Sequence, residues 1–192
     1  MMRDVGQKER LGVVHRLERW TSGLIVLART PSAFESIRLQ FIEKTVKREY
    51  MVIVCGIPKL EEATLVDQMG VHPTQKRRMA VLEKGKKAQL HYRIVSTSAK
   101  EFPVSLLRCR LETGLLHQLR VQLAHAGHPV FGDLSYGRTH AERFQELGVK
   151  HPLLHAQTLG FKHPSRGYLH FTSSPHPSFQ SLQEHFLLID AG

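Results

Sequence analysis

A carboxylate flanked by cations stands in a short polar loop near the start of the chain. Glu18 has Arg16 two residues before it and Arg19 directly after it, and the loop separates two apolar runs. Positive neighbours favour the ionised form of a carboxylate, and an ionised, positioned carboxylate can act as a nucleophile or as a base. An ordinary surface loop with ion pairs would contain the same residues, so this loop alone makes Glu18 only a candidate.

Two further side chains could serve such a carboxylate. Tyr50 begins an apolar run and offers an aromatic face, although a tyrosine in that setting is more commonly a core residue. Arg120 could orient the carboxylate or could be a surface cation of a helix. His117 precedes Arg120 by three residues, so the two share a face if that segment is helical.

The chain contains 13 histidines, which raises the question of a metal site. The closest pairs are His125 with His128 and His151 with His155. No cysteine joins either pair, and no acidic residue completes a compact set of ligands. We therefore expect no metal site.

The charge balance favours a polyanionic partner. Lys and Arg number 27 and Asp and Glu 17 among 192 residues, a formal net charge of +10. Such a surplus neutralises phosphates and releases counterions on binding nucleic acid, although solubility alone is the plainer explanation. Lys76, Arg77 and Arg78 form the densest basic cluster, which we expect in a solvated loop that also contacts phosphate.

Other features of the sequence indicate the compartment in which we expect the protein. No apolar run is long enough to span a bilayer, residues 1–10 are polar with no secretory core, and the two cysteines, Cys55 and Cys109, make no disulfide framework. We expect a monomer in the cytoplasm or an organelle matrix, without a membrane partner.

The elements that must position these residues are mostly strands. Residues 22–28, 50–55, 88–95, 104–111, 153–161 and 168–171 read as strands, with 88–95 paired to 104–111 and a turn at 163–167 between the last two. Residues 59–87 read as polar and loop-rich, and residues 132–137 as a loop.

Two helices are predicted between these strands. Thr30 and Pro31 begin a helix that runs to about Glu43, with Phe34, Ile37 and Phe41 on one face. A second helix covers residues 116–126 and ends at Gly127. Hairpins outnumber crossovers, which indicates an α+β fold with a largely antiparallel central sheet flanked by helices.

Short motifs from residue 11 to the C-terminus resemble, in order, those of RluA/RluD-type RNA pseudouridine synthases. They are His15-Arg16-Leu17-Glu18 with Thr21-Ser22-Gly23-Leu24; Arg48-Glu49-Tyr50; His72-Pro73-Thr74; Arg78-Met79-Ala80-Val81; Lys86; His91-Tyr92-Arg93; Leu111-Glu112-Thr113-Gly114; His117-Gln118-Leu119-Arg120-Val121; Gly127-His128-Pro129; Gly132-Asp133; Tyr136-Gly137; Leu154-His155-Ala156; and His163-Pro164-Ser165-Arg166-Gly167.

The resemblance implies a pseudouridine synthase fold and its cofactor-independent reaction. The N-glycosidic bond of a uridine is broken, the uracil turns, and it is rejoined through C5. By this resemblance Glu18 is the carboxylate at the sugar, Tyr50 holds the detached base by stacking, and Arg120 forms the ion pair. His15, Arg16 and Thr21 would shape the pocket, with His117, Gln118 and the basic cluster at the RNA. Ribosomal RNA is the expected substrate, with tRNA as an alternative.

Four features depart from the family pattern. Glu18 replaces an aspartate, and the extra methylene moves the carboxylate by about 1.5 Å, where a misplacement of about 1 Å can cost around a hundredfold in rate. Leu115-Leu116 replaces an Arg-Thr pair, and Gln122 replaces a histidine. We expect residues 1–192 to form a single catalytic domain that lacks the family's Lys-Pro-x-Gly segment and its S4-like RNA-binding domain.

Three functional hypotheses follow from these observations. The first is an RNA-uridine isomerase, and the second is an RNA-binding relative that has lost turnover because of Glu18 and Leu115. The third is a basic interaction domain without a pocket, which the ordered motifs argue against.

Overall fold

A mixed sheet organises residues 12–186, the part of the chain that the computed structural model describes. In this part eight strands alternate with four helices and a short 3-10 turn at Arg138–His140. The strands are β1 (Ser22–Gly23), β2 (Lys47–Cys55), β3 (Glu62–Val71), β4 (Met79–Val81), β5 (Lys86–Ser98), β6 (Val104–Leu111), β7 (Leu154–His163) and β8 (Gly167–Thr172). The helices are α1 (Pro31–Ile42), α2 (Gln118–His125), α3 (Ala141–Glu146) and α4 (Pro177–His185).

The strand order is β1-β7-β2-β6-β5-β3-β4, and β8 also pairs with β7. Every pairing is antiparallel except the short parallel contact between β1 and β7. The expected α+β fold with a largely antiparallel sheet is confirmed. Strand β2 lies between β7 and β6 and is the most enclosed part of the sheet, with Val52 and Ile53 fully buried.

The alternation of side chains along β2 decides what faces the functional site. Met51, Ile53 and Cys55 pack on one face against Phe131 and Phe144. Tyr50, Val52 and Val54 pack on the other face with Leu119 and Leu123 of α2. Since successive residues of a strand point to opposite faces, Tyr50 lies on the same side of the sheet as α2, which contains Arg120.

Helix α1 begins where its sequence signals predicted. The Thr30 hydroxyl accepts a hydrogen bond from the Ala33 N–H at 3.2 Å, Pro31 occupies the first turn, and Ile37 is buried. Helix α2 starts at Gln118 rather than at residue 116, because His117 has a left-handed backbone with φ 54°. Helices α3 and α4 were not anticipated from the sequence.

Two predictions of secondary structure were wrong. Residues 59–87 are not mainly loop, since they contain β3 and β4. The inward positions of β3 include Asp67, a polar residue that accepts a hydrogen bond from Gln122, and this interrupts the apolar alternation that marks a strand. Of residues 22–28 only Ser22 and Gly23 pair as a strand, and Ile25 and Leu27 are exposed.

Residues 1–11, including the polar N-terminal stretch and Leu11, lie outside the described residues. No helix within residues 12–186 is long and apolar enough to cross a membrane.

Candidate functional site

A cavity of about 300 Å³ opens between the Glu18 loop, the start of β2 and the start of α2. Glu18 and Tyr50 both line it, so the fold brings together two residues that are 32 positions apart. The described residues that line it are Arg16, Leu17, Glu18, Thr21, Arg48, Tyr50, Leu111, Gly114, Leu115, Leu116, Gln118, Leu119 and Leu154.

Glu18 is held from behind by Arg120. A terminal nitrogen of Arg120 donates to the Glu18 carboxylate at 3.1 Å, while Nε and the second terminal nitrogen donate to Asp133 at 2.6 and 2.7 Å. The Asp133 side chain is 1% exposed and that of Glu18 23%. The bidentate pair fixes the plane of the guanidinium, and Glu18 is the more exposed of the two carboxylates.

The charge of Arg120 is secured by this arrangement. Burial alone would lower the pKa of Arg120, but the hydrogen bonds and negative charges of Asp133 and Glu18 outweigh burial and raise the pKa above its ordinary value. Glu18 therefore faces a permanent cation.

Tyr50 presents its ring to the same cavity. Burial is the main cause that raises the pKa of its hydroxyl, the charge of Arg48 opposes that rise, and Glu18 adds to it. The phenol therefore stays protonated at neutral pH. Its hydroxyl has no hydrogen-bond partner within residues 12–186, which leaves both the ring and the hydroxyl available to a ligand.

The Glu18 loop is shaped by a tight turn. The Thr21 N–H donates to the Glu18 carbonyl at 3.0 Å, and Trp20 occupies the third position of this turn with φ 74°. A positive φ at that position normally selects glycine or asparagine, so a bulky residue there is strained.

The chain after this turn is fastened to β7. The Ser22 hydroxyl lies 2.9 Å from Nδ1 of His155, and Nε2 of His155 lies 2.9 Å from the Ser173 carbonyl. Because that carbonyl can only accept, Nε2 carries the proton and Nδ1 accepts from Ser22. Gly23 has φ 112°, and a Cβ there would collide with the Ala156 carbonyl. These contacts give a physical reason for the Thr-Ser-Gly motif.

His15 fastens the loop at its other end and does not line the cavity. Its Nε2 accepts the Val26 N–H at 3.0 Å, and its ring stacks on Phe41 with centroids 4.6 Å apart. Burial, helped by the charge of Arg48, lowers the pKa of His15 to about 4. His15 therefore contacts the loop that contains Glu18 and not the cavity itself, so its expected part in shaping the pocket would be indirect.

His117 lies near Arg120, although it precedes α2 and does not share a helix face with Arg120. The Tyr136 hydroxyl accepts the Met79 N–H at 3.1 Å and is hydrogen-bonded to Nδ1 of His117, 2.9 Å away. Burial lowers the pKa of His117, which agrees with a neutral ring whose other nitrogen is left for a ligand. The Tyr136 ring also lies against Arg120, with the guanidinium carbon 5.0 Å from its centroid.

Gln118 is 1% exposed and its amide is committed within the protein. Its oxygen accepts from Thr113 Oγ1 and the Leu115 N–H, while its nitrogen donates to the Gln89 carbonyl and to Gln122. The RNA contact that we expected of Gln118 stays a prediction, because Gln118 lines the Glu18 cavity while its amide is already hydrogen-bonded within the protein. Gln118 holds the loop that leads into α2.

The remaining expected site residues separate into two groups. Arg16 and Thr21 line the cavity as expected. Lys76 and Arg77 are exposed in the turn between β3 and β4 and are not among the described residues that line it. Arg78 extends toward the site, because its guanidinium carbon lies 4.8 Å from the centroid of the Tyr136 ring.

The positions that depart from the family pattern differ in their surroundings. Leu115 and Leu116 line the cavity and give it an apolar wall. Gln122 is fully buried and donates to Asp67 at 2.7 Å, so it belongs to the polar network beneath α2.

Sequence reasoning gave no role to two residues that the structure places at the site. Asp133 lay in a recognised Gly-Asp motif, but its partner could not be identified without the fold. Arg48 lies two residues before Tyr50 and lines the cavity with its Nε buried and unpaired. The alternation of β2 would have placed Arg48 on the same face as Tyr50.

Three of the four histidines considered as metal ligands make other contacts. Nδ1 of His128 is 3.1 Å from the Cys55 carbonyl, His151 stacks on Trp20, and His155 bonds Ser22 and Ser173. Within residues 12–186, no three histidine, cysteine or acidic side chains converge as metal ligands would.

The sequence matches known proteins along most of its length. The family model described as RNA pseudouridylate synthase matches residues 2–125. Ribosomal large subunit pseudouridine synthase D of Nitrosomonas europaea is 42% identical over 178 residues, which cover 90% of this chain and 50% of that protein. The protein of the same name from Zymomonas mobilis is 38% identical and is covered over 52% of its length by 85% of this chain.

The fold is also shared with a solved structure. Human RNA Pseudouridylate Synthase Domain Containing 1 superposes with a TM-score of 0.75 at 24% identity, covering 92% of this chain and 80% of that one. The chain spans about half the length of the curated relatives that it matches.

Proposed function

This chain belongs to the RNA pseudouridylate synthase family, in its RluA/RluD-type group, and from that premise we propose that it isomerises uridine to pseudouridine in RNA. The observation that supports this most strongly is the shared cavity. Glu18, anchored by Arg120, opens into the same space of about 300 Å³ as the ring of Tyr50. A carboxylate for the sugar and an aromatic face for the base are thus beside each other.

The proposed roles follow from this geometry. Glu18 acts at the sugar, by attack on C1′ or by removal of the 2′ proton, and Arg120 fixes its position through the hydrogen bond of 3.1 Å. Tyr50 stacks on the uracil while the glycosidic bond is broken, since stacking retains a base without dictating its hydrogen bonds. The turned uracil then joins C1′ through C5, which releases the Glu18 carboxylate from C1′ or is accompanied by return of the 2′ proton. The proton displaced from C5 leaves to solvent, and N1 takes up one proton.

Arg48 and Arg16 are suited to the phosphates beside the target nucleotide. Both line the cavity, and Arg48 has an unpaired buried Nε. The target must leave its stack to enter, which requires such contacts to hold the backbone. Ribosomal RNA is the proposed substrate, because the curated relatives are named for the large ribosomal subunit.

A second candidate is an RNA-binding relative with little or no turnover. Glu18 is one methylene longer than the family aspartate, and Leu115 and Leu116 place apolar side chains at the cavity wall. Both changes act on geometry rather than on RNA affinity, so they would impair catalysis and leave binding largely intact.

Release of tritium from C5-labelled uridine in RNA distinguishes the two candidates. We expect Glu18→Asp to raise the rate by about tenfold or more, since the shorter side chain restores the reach of the carboxylate. Glu18→Gln and Glu18→Ala should leave none, whereas Glu35→Gln, an exposed carboxylate on α1, should match the parent.

The outcomes separate the hypotheses clearly. If the parent and the Glu18→Asp variant both bind RNA without releasing tritium, the non-catalytic relative is established. Turnover by Glu18→Gln equal to that of the parent would show that Glu18 is not the reacting carboxylate.

A further inference from the structure

An exposed aromatic pair lies directly beside the Glu18 turn. Trp20 is 54% exposed, and its ring stacks on His151 with centroids 3.7 Å apart and planes inclined by 6°. The guanidinium carbon of Arg19 also lies 5.1 Å from the Trp20 centroid. The pair is therefore preformed as a flat stack, and much of the tryptophan surface is still open to solvent.

The surroundings of this pair are basic and continuous with the proposed active site. Trp20 and His151 line a second cavity of about 310 Å³ together with Arg19, Lys150, His117 and Arg120. Its one described carboxylate, Asp133, is already neutralised by Arg120. Arg120 links this cavity to the first one, because it lines this cavity and donates to Glu18, which lines the other.

A nucleobase fits this setting better than other ligands do. The flat face of the base matches the stacked rings, and the phosphate of its nucleotide matches Arg19 and Lys150, both exposed. Single-stranded nucleic acid is held by this combination of aromatic platforms and backbone cations. The Arg19 contact with Trp20 is a weak one at an exposed site, so a base can displace the guanidinium toward its own phosphate.

We propose that Trp20, supported by His151, stacks on an unpaired base that neighbours the target uridine, with Arg19 and Lys150 at its phosphate. This inference rests on the proposed function for its choice of RNA as the ligand. It adds a second stacking position, outside the cavity of Tyr50, that would set which nucleotide sequence context the protein accepts.

Intrinsic fluorescence tests the proposal directly, because Trp20 is the only tryptophan in the chain. Titration with a short single-stranded RNA containing one target uridine should quench roughly half or more of the emission as the base stacks. An RNA with an abasic nucleotide at the stacking position, on one side of the target, should bind with little quenching. Abasic substitution farther away should have no effect.

Variants provide a second measurement by filter binding. We expect Trp20→Ala to weaken RNA binding by about tenfold and Trp20→Phe to restore most of it, because phenylalanine keeps a stacking face. Tyr168→Ala removes another exposed aromatic, on β8, and should bind as the parent does. Circular dichroism melts check that all three variants are folded.

The results separate failure of this inference from failure of the proposed function. RNA binding and tritium release with unchanged Trp20 emission would overturn the stacking site and leave the isomerase standing. Base-dependent quenching without tritium release would support the stacking site and remove the catalytic proposal. No RNA binding by the folded parent would overturn both.

Discussion

At the scale of single residues, Arg120 divides its donors between two carboxylates of different exposure. Asp133 takes a bidentate pair and is almost fully buried, whereas Glu18 takes one hydrogen bond and reaches the cavity. A planar guanidinium fixed by two parallel hydrogen bonds has little freedom left. Asp133 therefore acts as a positioning residue through Arg120.

We predict that Asp133→Asn lowers kcat by about 10- to 100-fold, since a misplacement of about 1 Å can cost a hundredfold, with little change in KM for RNA. One hydrogen bond and a buried counter-charge are lost, so the unfolding free energy should also fall by roughly 2–3 kcal/mol. Steady-state kinetics and urea denaturation measure the two effects. Glu146→Gln, an exposed partner of Arg143, is the control. A rise in KM with kcat unchanged would contradict the positioning role.

A second prediction at this scale concerns the buried His15. Its folded pKa of about 4 is below the ordinary value of 6.5, so the unfolded chain binds more protons between these pH values. The stabilisation is complete above pH 6.5 and is lost as the pH falls toward 4. We expect the unfolding free energy to drop by roughly 2 kcal/mol over this window from His15 alone.

Urea denaturation at several pH values measures this dependence. His15→Gln keeps an acceptor near the Val26 N–H without titrating, so its stability should depend less steeply on pH, even though it loses the stack on Phe41. The exposed His125→Gln should keep the slope of the parent. An unchanged slope in His15→Gln would show that other groups cause the pH dependence.

At the scale of elements, the Glu18 loop is positioned by its contacts with the sheet together with its own hydrogen bonds. The parallel register places Ser22 beside His155 and Gly23 beside Ala156, while His15 captures Val26 at the far end. A loop held at both ends in this way keeps the carboxylate in front of α2, and its precision depends on close approach to β7.

We predict that Gly23→Ala destabilises the protein and abolishes tritium release, since the new Cβ would meet the Ala156 backbone and force the loop from β7. A matched control is Gly148→Ala, which also has a positive φ, of 66°, but has no heavy atom within 4 Å of a built Cβ. The control should cost about 1 kcal/mol and retain activity. Thermal melts and the tritium assay decide between them, and equal losses in both variants would refute the close-approach explanation.

At the scale of the whole molecule, the charge of +10 favours RNA binding, and the strand register places part of this charge near the proposed site. The β3–β4 turn with Lys76 and Arg77 lies at the end of the sheet where Lys86 pairs with Met69. Leu111, which lines the Glu18 cavity, ends β6 near this end, since it pairs with Leu90. The basic turn is therefore at the same end of the strands as the proposed site.

We predict steep salt dependence of RNA binding, with affinity falling at least roughly tenfold between 50 and 200 mM salt as counterions are released. Replacing Lys76 and Arg77 by alanine should reduce the slope of log affinity against log salt by about 2. Lys100→Ala lies in the turn at the opposite end of β5 and β6 and should leave the slope unchanged. Filter binding at a series of salt concentrations tests this, and salt-independent binding would argue against phosphate recognition.

The sequence by itself determined the family and the fold class, and it predicted the site carboxylate with its partners. These conclusions rest on local signals, namely ordered motifs around Glu18, Tyr50 and Arg120, the cap of α1, and the alternating or apolar runs of β2, β5 and β6. Such signals can be recognised without the fold, because each depends on residues close together along the chain. The Glu18–Arg120 ion pair implied by the resemblance is present in the structure at 3.1 Å.

Only the tertiary structure decided which of the candidate residues face the cavity. Sequence spacing could not show that His15 and Gln118 use their polar atoms inside the protein, or that Asp133 holds Arg120. It also could not show that Trp20 and His151, 131 positions apart in the sequence, form one stack. The physical reason is that hydrogen-bond saturation and ring stacking between distant segments are set by strand register and loop path, which are properties of the assembled sheet.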